Sequence, residues 1–295
     1  MRKISYLTKS RLILILPALI TLILIIFFPL VYNIYLSVLR WRIGTRETPQ
    51  FIGIENFITI ISDLRFYNSL RKSFYLLIEI PIEFAFGLGL AFLLQEEFRG
   101  KRLISSIILL PLALSDAVVG LVWGLVLVPT YGPFDLLMRS LDLWKILGFT
   151  KPISPAIVYP METIILADIW QWTPFFFLTF LAGLAALPVE PMEAAKVDGA
   201  SSFQIARHVT IPMLKNVIGV TVLIRLMDVF KSFGIPYVLT KGGPGFASEV
   251  TSLYIFNQAL QFLNLTYAAA LTLIVIVIVT MLVTAFVRIY KFEFR

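Results

Sequence analysis

The chain of 295 residues contains no cysteine and a single histidine, His208. Without cysteine it can form neither a disulfide nor a thiolate metal site, and one imidazole cannot build a metal centre. The sequence also lacks the Gly-x-x-x-x-Gly-Lys-Ser/Thr pattern, which excludes nucleotide binding by a phosphate-binding loop of that kind. We therefore expect the chain to hold no metal and no cofactor of its own.

Charge is also scarce. Charged residues make up 15% of the chain, apolar residues make up 59%, and the mean hydropathy is +0.89. Two long runs, residues 12–39 and 267–287, contain no charged residue at all. Because a helix needs about 20 mostly apolar residues to cross a bilayer, these runs predict a membrane protein.

The hydropathy pattern predicts an all-α membrane protein that forms one transmembrane domain over residues 1–295. The six predicted spans are residues 12–39, 73–95, 103–129, 163–187, 217–239 and 267–287. The first run is much longer than the apolar core of a signal peptide, which has about 7–15 residues. We therefore expect it to remain in the protein as an anchor.

Lysine and arginine are unevenly distributed among the loops. If the N-terminus is inside, basic residues are about twice as dense in the inner loops as in the outer ones, which predicts that both termini are cytoplasmic. The net charge of +7 then reflects this bias and an attraction to anionic lipid headgroups. Nucleic acid is not an expected partner, because no basic face with interleaved aromatic residues lies outside the spans.

Residues 188–216 form a polar loop between two apolar spans, on the predicted cytoplasmic side. Prolines favour the first turn of a helix, so a short helix is predicted to begin near Met192. Gly199 can adopt the left-handed conformation that ends such a helix. Ser201 or Ser202 can then cap a second helix. The predicted structure is a helical hairpin.

The hairpin combines small and charged residues. Ala194, Ala195 and Ala200 would let the backbone of a partner approach closely, while Glu193 and Asp198 could make the contact specific. This composition favours a docking surface. An ordinary amphipathic hairpin at the membrane interface is the alternative interpretation.

Ionisable residues inside predicted spans are costly and usually face a cavity or a partner. Glu79 and Glu83 are four residues apart and share one helical face, from which they could pair with Arg225 or Lys231. Arg225, Asp228 and Lys231 recur at every third position, which predicts either a self-neutralising ladder or the lining of a path through the membrane.

The fourth predicted span has the composition of a sugar-binding surface. Sugars present hydroxyl groups and apolar C–H faces, so polar side chains beside flat aromatic rings suit them. The span supplies this mixture in Asp168, Trp170, Gln171, Trp172 and Phe175. An aromatic group that faces lipid or the protein core is the alternative.

Several motifs resemble the permeases of binding-protein-dependent ABC importers. Glu193-Ala194-Ala195, Gly199 and Ile211-Pro212 are similar to the loop of that family named after its Glu-Ala-Ala sequence. The residues before Pro212 differ mildly from the common Ile-x-Leu-Pro ending of that loop. Further similar segments are residues 51–57, 131–137 and 237–245, the last of which resembles the Leu-Thr-x-Gly-Gly-Pro stretch of maltose-type sugar permeases.

The resemblance implies a MetI-like type I importer fold and a mechanical role for the hairpin, whose short coupling helix would sit in a cleft of an ATP-binding subunit. The residues implied in coupling are Met192, Glu193, Ala194, Ala195, Asp198, Gly199, Ala200 and Phe203. The residues implied in the substrate pathway are Asp168, Trp172, Phe175, Arg225 and either Asp228 or Val229.

The same resemblance implies the partners and the location. The partners are a second permease subunit, two ATP-binding subunits that carry ATP and Mg²⁺, and an extracytoplasmic solute-binding protein. The location is the cytoplasmic membrane of a prokaryote. The chain itself would catalyse no covalent chemistry.

Two alternatives remain open from the sequence. The cargo could be a neutral di- or oligosaccharide or a phosphorylated polyol. A secondary transporter driven by an ion gradient, with a proton relay through Glu79, Glu83 and Asp168, is the rival mechanism. Such transporters usually contain inverted repeats, and the first half of the sequence shows no second copy of the hairpin motif.

Overall fold

The computed structural model describes residues 15–42, 44, 48–146, 148 and 152–291. The predicted cytoplasmic segment 1–11, the first residues 12–14 of the first predicted span and the C-terminal residues 292–295 lie outside the described part. The described residues are helical except for loops and one short antiparallel pair of strands, in which Leu39 is opposite Phe51 and Arg40 is opposite Gln50.

Short and long helices alternate along the chain. The first half contains α1 (Ile15–Ser37), β1 (Leu39–Arg40), β2 (Gln50–Phe51), α2 (Glu55–Ile61), α3 (Leu64–Leu93), α4 (Lys101–Ala113), α5 (Asp116–Val126), α6 (Pro133–Ser140) and α7 (Leu143–Ile146). The second half contains α8 (Pro155–Val158), α9 (Pro160–Ala185), α10 (Glu190–Val197), α11 (Ser202–Met213), α12 (Lys215–Val229), α13 (Gly234–Leu239), α14 (Thr251–Phe256) and α15 (Leu265–Tyr290).

Among the described residues, four helices are long and apolar enough to cross a membrane: α1, α3, α9 and α15. Two further candidates are bent pairs. One is α4 followed by α5, with a bend of 103°, and the other is α11 followed by the stretch Lys215–Leu239, with a bend of 69°. If each pair crosses once, the number of spans is six, as the sequence predicts.

The third and fifth predicted spans are therefore not the continuous helices expected from their hydropathy. After a tight turn that contains Pro111, the chain is extended at Leu114 and Ser115 and then begins α5 at Asp116. Proline removes a backbone donor and ends regular helix geometry. A second break separates α12 from α13, which begins at Gly234. Average hydropathy does not reveal either break.

The residues divide into two compact units. The first comprises Met1–Leu64 with Ile255–Ile278, and the second comprises Arg65–Tyr254 with Val279–Arg295. In the first unit, Asn56 donates hydrogen bonds of 2.8 Å to the carbonyl oxygens of Ser37 and Leu39. The Asn33 amide donates to the carbonyl of Ala269 at 3.2 Å, which links α1 to α15.

In the second unit, α3 begins nine residues before the predicted span because its first turns pair their charges within the protein. Arg65 forms two hydrogen bonds of 2.7 Å with Glu249, and Lys72 donates to the carbonyl oxygen of Phe246. Ser73 and Thr251 are joined by a hydrogen bond of 2.9 Å. These contacts hold the segment after α13, which contains the Gly-Gly-Pro motif, against α3.

Two long helices of the second unit, α3 and α9, approach each other closely. A Cβ atom added at Gly87 would lie 2.3 Å from the Cβ of Phe176 and 2.9 Å from the backbone nitrogen of Phe177. At Gly89, two residues further along the same helix, an added Cβ would meet no atom within 4 Å. Glycine is therefore required at position 87 by packing and not at position 89.

We predict opposite effects when alanine is introduced at these two positions. Gly87→Ala is expected to destabilise the protein by about 1–3 kcal/mol, as overpacking of a close interface does. Gly89→Ala is the matched control and is expected to be neutral or to gain up to about 1 kcal/mol from helix propensity. Thermal unfolding of the two purified variants measures the difference, and equal midpoints would contradict the close packing.

Candidate functional site

Four charged side chains from three helices meet inside the second unit. They are Glu79 and Glu83 on α3, Asp168 on α9 and Arg225 on α12. Both glutamates are fully buried, and Asp168 and Arg225 are 3% and 1% exposed. We call these four residues the charge cluster. Because α3 and α9 are packed closely and α12 contacts both helices, their charged residues reach one point.

Arg225 is the centre of the charge cluster. Its Nε and Nη2 atoms donate to the two oxygens of Glu83, each at 2.8 Å. Nη2 also lies 2.9 Å from Glu79 Oε1 and 2.6 Å from Asp168 Oδ2. Such charge-assisted contacts are the strongest hydrogen bonds available to a buried arginine. The predicted pairing of Glu79 and Glu83 with Arg225 is confirmed.

The predicted self-neutralising ladder on α12 is wrong for Arg225, which bonds to carboxylates of other helices. Asp228 and Lys231 do pair, at 3.1 Å, and the Lys231 side chain is 73% exposed. A three-residue spacing shows which residues share a helical face, but the neighbouring helices decide which of them is neutralised there.

A small polar cavity adjoins the charge cluster. Its volume is about 140 Å³. The lining residues are Asp116, Asp168, Trp172, Arg225, Asp228, Lys231 and Ser232. Four residues of the predicted substrate pathway are thus brought together. The last pathway residue was expected to be either Asp228 or Val229. Asp228 lines the cavity, whereas Val229 is packed in the core at 1% exposure.

The remaining aromatic residues of the predicted sugar surface lie beside the cavity lining. Phe175 packs edge-on against Trp172, with ring centroids 5.9 Å apart. Trp170 lies outside the lining and contacts Trp123 at 6.2 Å. The Trp172 ring also lies 4.8 Å from the guanidinium carbon of Arg225, a distance typical of a cation–π contact.

Asp116 is a lining residue that the sequence did not single out for the pathway. It begins α5 directly after the break in the third span, and its Oδ1 accepts a hydrogen bond of 3.1 Å from Gln171 Nε2. The same Gln171 nitrogen donates to the carbonyl oxygen of Leu114 at 3.0 Å. A charged residue next to a helix break was the available signal, because broken spans often form binding sites.

The volume of the cavity shows whether a sugar could occupy it in the described conformation. A water molecule takes about 30 Å³ in the liquid, so the cavity accommodates only a few waters. Pockets for drug-sized ligands have volumes of about 300–1,000 Å³. The described conformation is therefore closed to a sugar at this point.

The helical hairpin of residues 188–216 is also present. Its first helix, α10, begins at Glu190, two residues before the predicted start, and Gly199 follows it with a φ of +79°. Ser201 caps α11: its side chain accepts from the backbone of Gln204, whose side chain accepts from the backbone of Ser201. Of the two predicted caps, Ser201 is the one used, and Ser202 is the first residue of the helix.

Most of the predicted coupling residues are at the surface of this hairpin. Glu193, Ala194, Asp198, Gly199 and Phe203 are exposed, whereas Met192, Ala195 and Ala200 are half-buried. Two apolar side chains are exposed to an unusual degree, Phe203 at 73% and Val197 at 88%. Val197 was missed in the sequence because a single valine at the end of a helix carries no distinctive pattern.

Residues 84–291 match the family described as the inner membrane component of binding-protein-dependent transport systems. The chain belongs to this family. The matched part of this permease includes the hairpin, Asp168 and Arg225, and it begins just after Glu83. The family predicted from the motifs is therefore confirmed.

Named relatives agree with this assignment. The permease is 33% identical to the trehalose/maltose transport system permease protein MalF of Thermococcus litoralis, over 84% of this chain and 83% of that protein. It is 32% identical to the probable ABC transporter permease protein y4oQ of Sinorhizobium fredii, over 89% of this chain and 84% of that protein.

The fold is also that of a solved importer permease. A chain in the crystal structure of a bacterial ABC transporter involved in the import of the acidic polysaccharide alginate matches with a TM-score of 0.81. The match covers 99% of both chains at 19% identity. The predicted all-α permease fold is confirmed, while the orientation of the termini stays a prediction.

Proposed function

We propose that this permease forms part of the path by which a neutral di- or oligosaccharide crosses the cytoplasmic membrane of a prokaryote, and that ATP hydrolysis on partner subunits drives the transport. The observation that carries this proposal is the polar cavity beside the charge cluster, with Trp172 in its wall. Relatives named for trehalose and maltose transport support a sugar as the cargo.

The charges of the cavity favour a neutral cargo over a phosphorylated polyol. Arg225 is bonded to three carboxylates, and Lys231 is paired with Asp228. Neither lining cation is therefore available for a phosphate without breaking an existing ion pair. The lining carboxylates would also repel a phosphate, whereas they can accept hydrogen bonds from sugar hydroxyls.

The aromatic residues at the cavity also support a sugar as the cargo. Trp172 is half-buried and is held by Phe175 on one side and by Arg225 on another. A ring fixed in this way can stack on the C–H face of a sugar with little loss of side-chain entropy. Asp116 and Asp228 lie in the same cavity and could bind hydroxyl groups.

The exposed hairpin supports the proposal that ATP hydrolysis on a partner subunit drives the transport. Transport requires the closed cavity to open, and a ligand or partner shifts such an equilibrium only through a difference in affinity between the two states. The hairpin exposes the apolar side chains of Val197 and Phe203, and its second helix is capped by Ser201. We infer that an ATP-binding subunit receives this surface, and that a second permease subunit and an extracytoplasmic solute-binding protein complete the importer.

Uptake by cells that express the complete importer tests the cargo. We expect uptake of labelled trehalose, maltose or a related neutral oligosaccharide, and a reduction of about tenfold or more in Trp172→Ala because stacking and ring burial are lost. Trp170→Ala is the matched control and should retain uptake, because Trp170 lies outside the cavity lining. Assembly of the importer should be unchanged in both variants.

Two results would contradict the proposal. Uptake of a phosphorylated polyol with none of the neutral saccharides would refute the neutral cargo. Equal uptake by Trp172→Ala and the wild type would show that Trp172 has only a structural role.

A further inference from the structure

The hydrogen-bond donors and acceptors of the charge cluster do not balance. Arg225 Nη2 carries two hydrogens but lies within 2.9 Å of an oxygen from each of three carboxylates. Nε has one hydrogen, which is donated to Glu83. Three of the five N–H groups of Arg225 thus face four carboxylate oxygens, and the fully buried Glu79 Oε2 has no hydrogen-bond partner among the described residues.

A second buried acceptor, on α9, also lacks a hydrogen-bond partner among the described residues. Gln171 lies three residues after Asp168 and is 3% exposed, and its Oε1 has no hydrogen-bond partner in the described part of the chain. An unpaired buried acceptor destabilises the folded state because it loses its hydrogen bonds to water. The region around Asp168 therefore contains more acceptors than donors.

The charges are out of balance as well. If all three carboxylates were ionised, the buried charge cluster would carry three negative charges and one positive charge. Each uncompensated buried ion costs several kcal/mol. Oxygens of Glu79, Glu83 and Asp168 lie within 4.8 Å of one another. Carboxylates this close to one another disfavour simultaneous ionisation, so that one of them retains a proton.

We propose that the charge cluster is a proton-binding site in which Glu79 and Asp168 share one exchangeable proton. Glu83 is not the carrier, because both of its oxygens already accept hydrogen bonds from Arg225. Glu79 accepts one such bond, and its other oxygen is the unpaired one. Binding forms an O–H bond on this carboxyl pair, and release returns the proton to water.

The surroundings of the pair define the effect of releasing the proton. Glu79 faces Glu83 from its own helix, Asp168 from α9 and Arg225 from α12, and the adjoining cavity adds Asp116, Asp228 and Lys231. Loss of the proton as the pH rises adds a negative charge that no further cation in the described cluster offsets. We expect the three helices to separate more easily and the importer to become less stable as the pH rises.

Difference infrared spectra of the purified importer in lipid nanodiscs test this site without measuring transport. The wild type should show the carbonyl band of a protonated carboxylic acid that shifts in deuterated water and disappears when the pH is raised. Glu79→Gln should lack this band at every pH. Glu162→Gln makes the same chemical change at an exposed carboxylate of α9 and should retain it.

A second variant covers the case in which Glu79→Gln does not fold. Asp168→Asn removes the other half of the pair and should also lack the band. Thermal unfolding adds an independent measurement: the loss of stability as the pH rises should be present in the wild type and absent from both variants. A band that persists in either variant, or a wild type without a titrating band, would overturn the proton site. The cargo and ATP proposals would be unaffected.

Discussion

Replacing Arg225 with leucine is expected to prevent the permease from accumulating in the membrane. The change would leave Glu79, Glu83 and Asp168 buried together without the cation that they contact. Breaking a buried ion pair by removing one partner costs about 3–5 kcal/mol, which is a large part of a total stability of about 5–15 kcal/mol. Membrane abundance and the thermal unfolding midpoint of any purified protein measure the effect.

Two variants control for the loss of charge itself. Lys231→Leu also removes one cation from this part of the chain, but Lys231 is largely exposed and its ion pair is with Asp228. An exposed ion pair is worth about 0–1 kcal/mol, so this variant should accumulate normally. Arg225→Lys keeps the charge but loses the planar fork that contacts three carboxylates, and it should be intermediate.

The charge cluster also predicts partial rescue. Because the cluster contains more carboxylates than cations, adding Glu83→Gln to Arg225→Leu should restore part of the lost stability, as expected for residues in one network. Normal accumulation of Arg225→Leu alone would show that the cluster does not hold the three helices together.

Replacing Phe203 with glutamate is expected to abolish uptake while the permease itself remains folded. Phe203 is 73% exposed on the hairpin, so its replacement removes few contacts within the chain. If an ATP-binding subunit buries this ring, the affinity of that subunit should fall about 30-fold or more, which corresponds to a loss of about 2 kcal/mol at an aromatic anchor. Co-purification of the ATP-binding subunit and ATP-dependent uptake measure the effect.

The hairpin offers matched controls for this experiment. Phe203→Leu keeps an apolar side chain and should retain both the subunit and uptake. Glu193→Lys reverses a charge at the hairpin surface and should weaken the contact. Gly199→Asp adds a negatively charged side chain at the exposed turn between the two helices and should also weaken the contact. Retained coupling in Phe203→Glu, Glu193→Lys and Gly199→Asp would refute the coupling role of the hairpin.

The same variants separate the two transport mechanisms. If Phe203→Glu loses the ATP-binding subunit and still takes up its cargo, and a protonophore then stops the uptake, the permease is driven by an ion gradient. If uptake disappears together with the subunit, ATP hydrolysis is the driving force.

Much of the fold could be predicted because the long apolar run of a spanning helix is a strong signal. The number of candidate spans and the helical hairpin follow from hydropathy, proline positions and Gly199. The two helix breaks were missed because hydropathy is averaged along a span, although Pro111 lies within the third predicted span and proline ends regular helix geometry. The early start of α3 was hidden because Arg65 pairs with Glu249 and Lys72 donates to the carbonyl oxygen of Phe246, both of which are distant in sequence.

The site was predictable to the extent that spacing along one helix determines it. Glu79 and Glu83 were expected on one face and do contact the same guanidinium. The pairing of Asp168 with Arg225 and the role of Asp116 depend on which helices meet, and sequence spacing carries no information about that. Family resemblance selected Asp168, Trp172 and Arg225, and the cavity adds Ser232 and Asp116 to them.

The hydrogen bonds of Gln171 hold the break in the third span in a fixed geometry. One amide nitrogen on α9 is bonded to the carbonyl of Leu114 before the break and to the carboxylate of Asp116 after it. The chain on both sides of the break is thereby bonded to Gln171 on α9, so the bend is held in place and does not act as a hinge. A displacement of α9 would carry both sides of the break with it, and the cavity residues Asp116, Asp168 and Trp172 would move together.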